Sequence, residues 1–150
     1  MVRRTGRVLP PWYLAHVNKV IVGLHRLGVP MPMPALTLPG RKTGVLRSTP
    51  VSPYEVDGRR YVVAGYAESD WAKNARAAGC GELTRGRRRE RVRLVALPVS
   101  ERGRILREFP IRVPHGVTMF LEAGTVANSS AEAFAAAADR CEVFRIEPLD

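Results

Sequence analysis

Leu14, Val17, Val20, Ile21, Leu24 and Leu27 recur at three- and four-residue intervals through PPWYLAHVNKVIVGLHRLG, with His16, Lys19, Gly23 and Arg26 on the opposite stripe. That period predicts an amphipathic helix over residues 12–28, closed by Gly28. Its apolar face packs on a core, or lies on a membrane surface with Trp12 and Tyr13 as interfacial anchors. VPMPMPAL then reads as a proline-stiffened connector, and ALTLPG as a short strand entering the turn GRKTG. The extended segment VLRSTPVSPYEV follows, in which Pro50 and Pro53 fit only at an edge or a bulge.

Asp57-Gly58 is the strongest hairpin signal, with RRYVVAGYA as the returning strand. SDWAKNARAAG predicts a short helix capped by Ser69 and stopped by Gly79. CGELTRGRRRERVRLVALPV predicts a hairpin turning at Gly86, whose second arm places Val92, Leu94 and Ala96 on one face. SERGRILREF, HGVTMFLEAG and SAEAFAAAADR are helical pieces, and CEVFRIEPL is a closing strand. No repeat or linker interrupts the 150 residues, so a single domain is expected over residues 1–150, with 1–11 a flexible lead-in. Antiparallel hairpins with helices between and after them predict an α+β protein built on a small antiparallel barrel.

Composition changes this picture in one respect. Hydrophobic (45%) and charged (25%) fractions are ordinary for a globular protein, but 24 Lys+Arg against 14 Asp+Glu give a formal charge of +10. Nearly all of the excess is arginine, whose planar fork matches phosphate and carboxylate oxygens. An anionic partner follows (nucleic acid, anionic lipid or a phosphorylated cofactor), unless the arginines serve solubility alone. Cys80 and Cys141 lie far apart without metal-ligand spacing, and reduced thiols in a cytoplasm are expected. No long apolar core follows the N-terminal arginines, which argues against a signal peptide or a spanning helix.

The chain carries no GxSxG, Walker loop, HExxH or strand-linked GxGxxG, and His16, His25 and His115 are scattered. An enzyme built on these residues would take its reactivity from a bound cofactor. GRKTG has two readings on spacing alone. It is a solvated hairpin turn, or its glycines let backbone amides approach an anion while Arg41, Lys42, Thr43 and Arg47 surround it. In RGRRRERVRLVALP, alternation aims Arg87, Arg89 and Arg91 to one face, but no aromatic interleaves them. A nucleic-acid binder normally presents such stacking platforms, so this class ranks low.

LTLPGRKTGVLRSTP, the Asp57-Gly58 hairpin with YVVAG behind it, and WAKNARAAG together resemble the deazaflavin-dependent nitroreductase family. The resemblance runs over roughly residues 12 to 97, and ADRCEVFRIEP is similar to one branch of that family. It implies a split antiparallel β-barrel with flanking helices, related to the pyridoxamine-phosphate-oxidase-like flavin proteins. Arg41, Lys42, Thr43 and Arg47 would hold the phosphate and glutamyl tail of coenzyme F-420, an 8-hydroxy-5-deazaflavin. Thr49 and Pro50 would run beside the cofactor, backbone at Ala64 and Gly65 would line its ring, and Trp71 with Asn74 would wall the pocket. Tyr66 would touch substrate.

The implied chemistry is hydride transfer to a small-molecule acceptor, a quinone, an enone or a nitro compound. FMN is the alternative cofactor, and a non-catalytic carrier or sensor of deazaflavin, haem or lipid is the alternative role. No metal is implied. Related flavin barrels pair across the cofactor site, so a homodimer is expected. The chain departs from the family at Ala67, where a lysine is usual, at Asp70 before the tryptophan, and at Ala72 and Ser52, where aromatics are usual. The substrate is therefore left open.

Overall fold

The computed structural model describes residues 34–149. The helix expected over residues 12–28, with the membrane-surface contact assigned to it, lies outside the described residues, as does the 1–11 lead-in.

Turn chemistry sets the hairpins. Strands β1 (Ala35–Pro39) and β2 (Leu46–Pro50) flank the GRKTG turn. Strands β3 (Tyr54–Val56) and β4 (Arg59–Val63) meet at Asp57 and Gly58, whose φ values of 53° and 78° are both positive. That is the type I′ geometry that matches strand twist. Helix α1 (Asp70–Ala78) starts where the Ser69 hydroxyl accepts from Ala72 N–H, and ends at Gly79 with φ 74°. Strands β5 (Cys80–Arg85) and β6 (Arg88–Ala96) turn at Gly86, where φ is 60°.

The C-terminal helical region is more broken than the sequence predicts. It comprises α2 (Val99–Leu106), α3 (Phe109–Arg112), a 3₁₀ turn (Pro114–Gly116), α4 (Val117–Glu122) and α5 (Ala131–Ala135), before strand β7 (Val143–Pro148). Pro110 and Pro114 fall at the starts of two of these pieces, where their missing N–H costs nothing. VLRSTPVSPYEV is likewise two strands and not one. Pro50 ends β2 and Pro53 lies in the connector, so both prolines sit at sheet edges as the sequence requires.

The seven strands form one antiparallel sheet in the order β2-β1-β5-β6-β7-β4-β3. Its outer strands, β2 and β3, are consecutive in the chain and joined only by residues 51–53. Flat, the outer strands would stand about 29 Å apart at six strand spacings. Residues 50 and 54 are separated by at most about 15 Å of chain. The sheet must therefore curl, yet no ladder joins β2 to β3 among the described residues. It is an α+β fold on an open, curled sheet, and the barrel expected from the sequence is not closed by hydrogen bonds.

Each face of the sheet has its own core. One gathers Leu36, Leu38, Val62, Leu83, Val92 and Phe144 with Ala72 and Ala75 of α1. The other gathers Tyr54, Tyr61 and Val143 with Ile105, Leu106, Phe109, Phe120 and Phe134 from the C-terminal helices. Phe109, Phe120 and Phe134 contact one another with ring centroids 4.6 to 5.5 Å apart. Tyr54 donates to the Ile105 carbonyl at 2.7 Å, so its hydroxyl is satisfied inside this core. Buried Arg102 donates to the carbonyls of Leu97, Ala138 and Cys141 and to Glu142, tying α2 to the entry of β7.

Two predictions follow from this packing. A Cβ at Gly81 would lie 2.8 Å from the Thr37 carbonyl oxygen and 2.7 Å from a Leu38 methyl. Gly81→Ala is expected to cost about 1–3 kcal/mol, since backbone must move. Denaturant titration measures it, and parent-like stability would show that β1 and β5 separate there freely. Burial, opposed by Arg140 and Arg102, pushes the Cys141 thiol from 9.0 up to about 12. Stability from the neutral thiol is intact below about pH 9 and lost as pH rises toward about 12. Cys141→Ala should flatten that alkaline decline in denaturant titrations; an unchanged slope would show that Cys141 does not contribute to it.

Candidate functional site

The GRKTG turn is closed by its own backbone. Gly40 N–H donates to Val45 C=O and Gly44 N–H to Gly40 C=O, both at 2.8 Å, and Val45 N–H reaches Thr43 Oγ1 at 3.2 Å. Gly44 has φ 75°, a conformation that favours glycine. At Gly40 a side chain would fit tightly. A Cβ there would lie 3.3 Å from both Thr43 Oγ1 and Val45 O and 3.7 Å from Arg47 Nε. The Thr43 hydroxyl and the Arg47 guanidinium thus both lie close against Gly40.

Helix α1 braces this turn. Asn74, 5% exposed, accepts with Oδ1 from Arg41 N–H at 3.0 Å and from Arg41 Nη1 at 2.8 Å. Arg41 Nη2 lies 3.4 Å from Asp70 Oδ1. Asp70, a departure from the resembled family, is therefore the counter-charge of Arg41. Arg41 is engaged within the protein, whereas the exposed side chains of Lys42 and Arg47 form no ion pair or hydrogen bond among the described residues. The fold brings Arg41, Thr43, Arg47 and Asn74 together, although 33 residues separate Arg41 from Asn74.

The other expected residues sit around α1 and the strands. Thr49 and Pro50 are half-buried on β2, opposite Leu36 and Ala35. Trp71 is half-buried, its ring 5.9 Å from Phe144. Tyr66 is half-buried too, and burial, with the Asp70 charge, raises its phenol above the ordinary tyrosine range. Ala64 and Gly65 are fully covered. Ala64 N–H donates to Glu142 C=O at 3.0 Å, and Gly65 C=O accepts from Thr125 Oγ1 at 2.6 Å. Met119 Sδ lies 3.1 Å from where a Gly65 Cβ would be.

Met119 and Thr125, which cover this backbone, were not found by sequence reasoning. They come from a segment more than fifty residues downstream, and no local signal points from it to Gly65. Ser52 Oγ lies 3.4 Å from His115 Nε2, joining the 51–53 connector to the 3₁₀ turn. Among the described residues no group of three or more His, Cys, Asp and Glu can hold a metal ion. Among them also, no helix is long and apolar enough to cross a membrane.

No protein-family description matches the chain, and no curated protein matches it in sequence. Two solved structures are similar in fold. One, described as a domain-swapped dimer, is 20% identical, with 89% of this chain and 98% of that chain covered and a TM-score of 0.54. The other, an Agrobacterium tumefaciens protein of unknown function, is 15% identical with a TM-score of 0.53. There the match covers 96% of this chain but 59% of that chain. At these identities the likeness speaks to the fold alone.

Asn74→Ala removes the acceptor of two Arg41 donors. It is expected to cost about 1–3 kcal/mol and to speed hydrogen exchange of the 40–45 amides. If exchange in the turn stays at the parent's rate, Asn74 is not what holds it.

Proposed function

We propose that this protein binds the anionic tail of coenzyme F-420 on the GRKTG turn and is an oxidoreductase acting on a quinone, enone or nitro-type acceptor. The observation that carries this reading is the braced turn, in which Arg41 is held aside by Asn74 and Asp70 while exposed Lys42 and Arg47 form no ion pair or hydrogen bond among the described residues. Lys42 and Arg47 would take the phosphate and glutamyl carboxylates through charge-assisted hydrogen bonds. Arg41 would shape the turn and not contact the tail.

The bound reduced deazaflavin would supply a hydride to the acceptor. The chain's own part is to position and shield. Trp71, Tyr66, Thr49 and Pro50 would border the ring, and Met119 over Gly65 would limit how deeply it sits. The curled sheet, whose outer strands are joined by residues 51–53, is read here as the split β-barrel of the resembled family. The reading includes a homodimer. One structurally similar protein is described as a domain-swapped dimer, and the edge strand β2 starts beside exposed Val45 and Leu46.

Titration of the purified protein with the deazaflavin and with FMN, followed by fluorescence, tests the assignment. Lys42→Ala and Arg47→Ala should each weaken deazaflavin binding by about 1–3 kcal/mol with little change in thermal stability. Affinity should fall with salt, and FMN, lacking the glutamyl tail, should bind less tightly. A double variant that binds like the parent would return the turn to an ordinary hairpin. Oxidation of the reduced deazaflavin by a quinone, an enone or a nitro compound separates an enzyme from a carrier, which binds without turnover.

A further inference from the structure

A cleft of about 550 Å³ opens at the far end of β1 from the GRKTG turn, lined by Arg60, Arg85, Arg88, Arg89, Glu55 and Glu90 among others. Ala35 pairs with Thr84 near this cleft, whereas Pro39 pairs with Leu46 beside the turn. The two places are thus separated by the length of a five-residue strand, about 17 Å.

The charges in the cleft are unbalanced. Glu90 is already matched, since both its oxygens accept from Arg60, at 2.9 and 2.7 Å. The guanidinium groups of Arg85, Arg88 and Arg89 form no hydrogen bond or ion pair among the described residues. Arg85 and Arg88 are direct cross-strand partners, and Arg89 pairs with Thr84 one step away. Like charges directly opposite one another destabilise a hairpin. The opposition of Arg85 and Arg88 beside one concavity is explained if an anion bridges them. Half-buried Pro53 adds an apolar wall, and the volume lies in the range of small-molecule pockets, roughly 300–1,000 Å³. Tyr54 is the one aromatic in the lining, but it is buried with its hydroxyl bonded to Ile105, so it offers no stacking platform for a nucleic-acid strand.

We propose that this cleft binds a small ligand carrying at least two phosphate groups, of nucleoside-diphosphate size, with the cross-strand pair Arg85 and Arg88 on the phosphates, Arg89 at the rim and Pro53 against its apolar body. Each guanidinium fork offers two parallel N–H donors to one phosphate. Arg60 stays on Glu90 as the fixed floor. This site is independent of the cofactor reading, because it uses none of the same side chains.

Calorimetric titration of the full-length protein with ADP, pyrophosphate and adenosine tests it. ADP and pyrophosphate should bind, with adenosine weaker by about tenfold or more. R85Q/R88Q/R89Q should lose about tenfold or more of the ADP affinity, while K42A/R47A keeps the parent's. The exposed hairpin should fold normally in the triple variant, and R88Q alone provides the comparison if it does not. Equal ADP affinity in the arginine variant and the parent would overturn the proposal. So would loss of ADP binding in K42A/R47A, which would move the phosphate site to the turn. Affinity for oligothymidylates that rises with length and exceeds that for ADP would also overturn it, marking a nucleic-acid surface instead.

Discussion

The fold depends on the last strand entering the middle of the sheet. β7 pairs with β4 on one side and β6 on the other, and without it the β3–β4 hairpin would have no neighbour. Val143 and Phe144 on this strand are both fully buried, one facing the helical core and the other facing α1's side. Strand insertion therefore closes two cores at once. It also fixes the curl, because residues 51–53 hold the two outer strands together while β7 holds the middle. Arg102 and Glu142 sit where β7 begins, so a part-buried ion pair guards that entry. Removing Glu142 would leave the Arg102 guanidinium near the core without a carboxylate, whereas Glu142 without Arg102 would keep Arg76.

Charge divides along the same lines. Arg41, Arg60, Arg76 and Arg102 have carboxylate partners and brace one element against another. Lys42 and Arg47 at one end of β1, and Arg85, Arg88 and Arg89 at the other, form no ion pair or hydrogen bond among the described residues, although the Arg88 charge acts on Glu90. A formal charge of +10 spread evenly would describe a soluble basic surface. The paired arginines brace the fold, and the unpaired ones leave charge at both ends of β1.

Local chemistry was legible in the sequence, and long-range placement was not. Asp57-Gly58, Gly86, Ser69 and Gly79 each announced a turn or a cap because φ preference and side-chain capping act within a few residues. The prolines at 50 and 53 marked an edge because a missing N–H cannot join a central ladder. The same signals said nothing of β7 lying between β4 and β6, since strand order is decided by burial across the whole chain. In the candidate site, the pairing of Arg41 with Asn74 stayed hidden for that reason, and so did the cover that Met119 and Thr125 place on Gly65. The alanine-rich run at 131–138 misled in the other direction. Its propensity predicts a longer helix than Ala131–Ala135, and packing of Phe134 and Ala137 into the core decides its end instead.

Magnitudes show what the turn can and cannot do alone. Its backbone is ordered in advance by three internal hydrogen bonds and by Asn74, so an anion meeting it need not organise the loop. Two charge-assisted contacts from Lys42 and Arg47 to the proposed tail would contribute about 3–6 kcal/mol, less about 1–3 kcal/mol for ordering two long side chains. Association itself costs about 4–15 kcal/mol at standard concentration. The turn can therefore select an anionic tail but cannot hold a ligand by itself. In the proposed reading, the remaining affinity would have to come from burying an aromatic body.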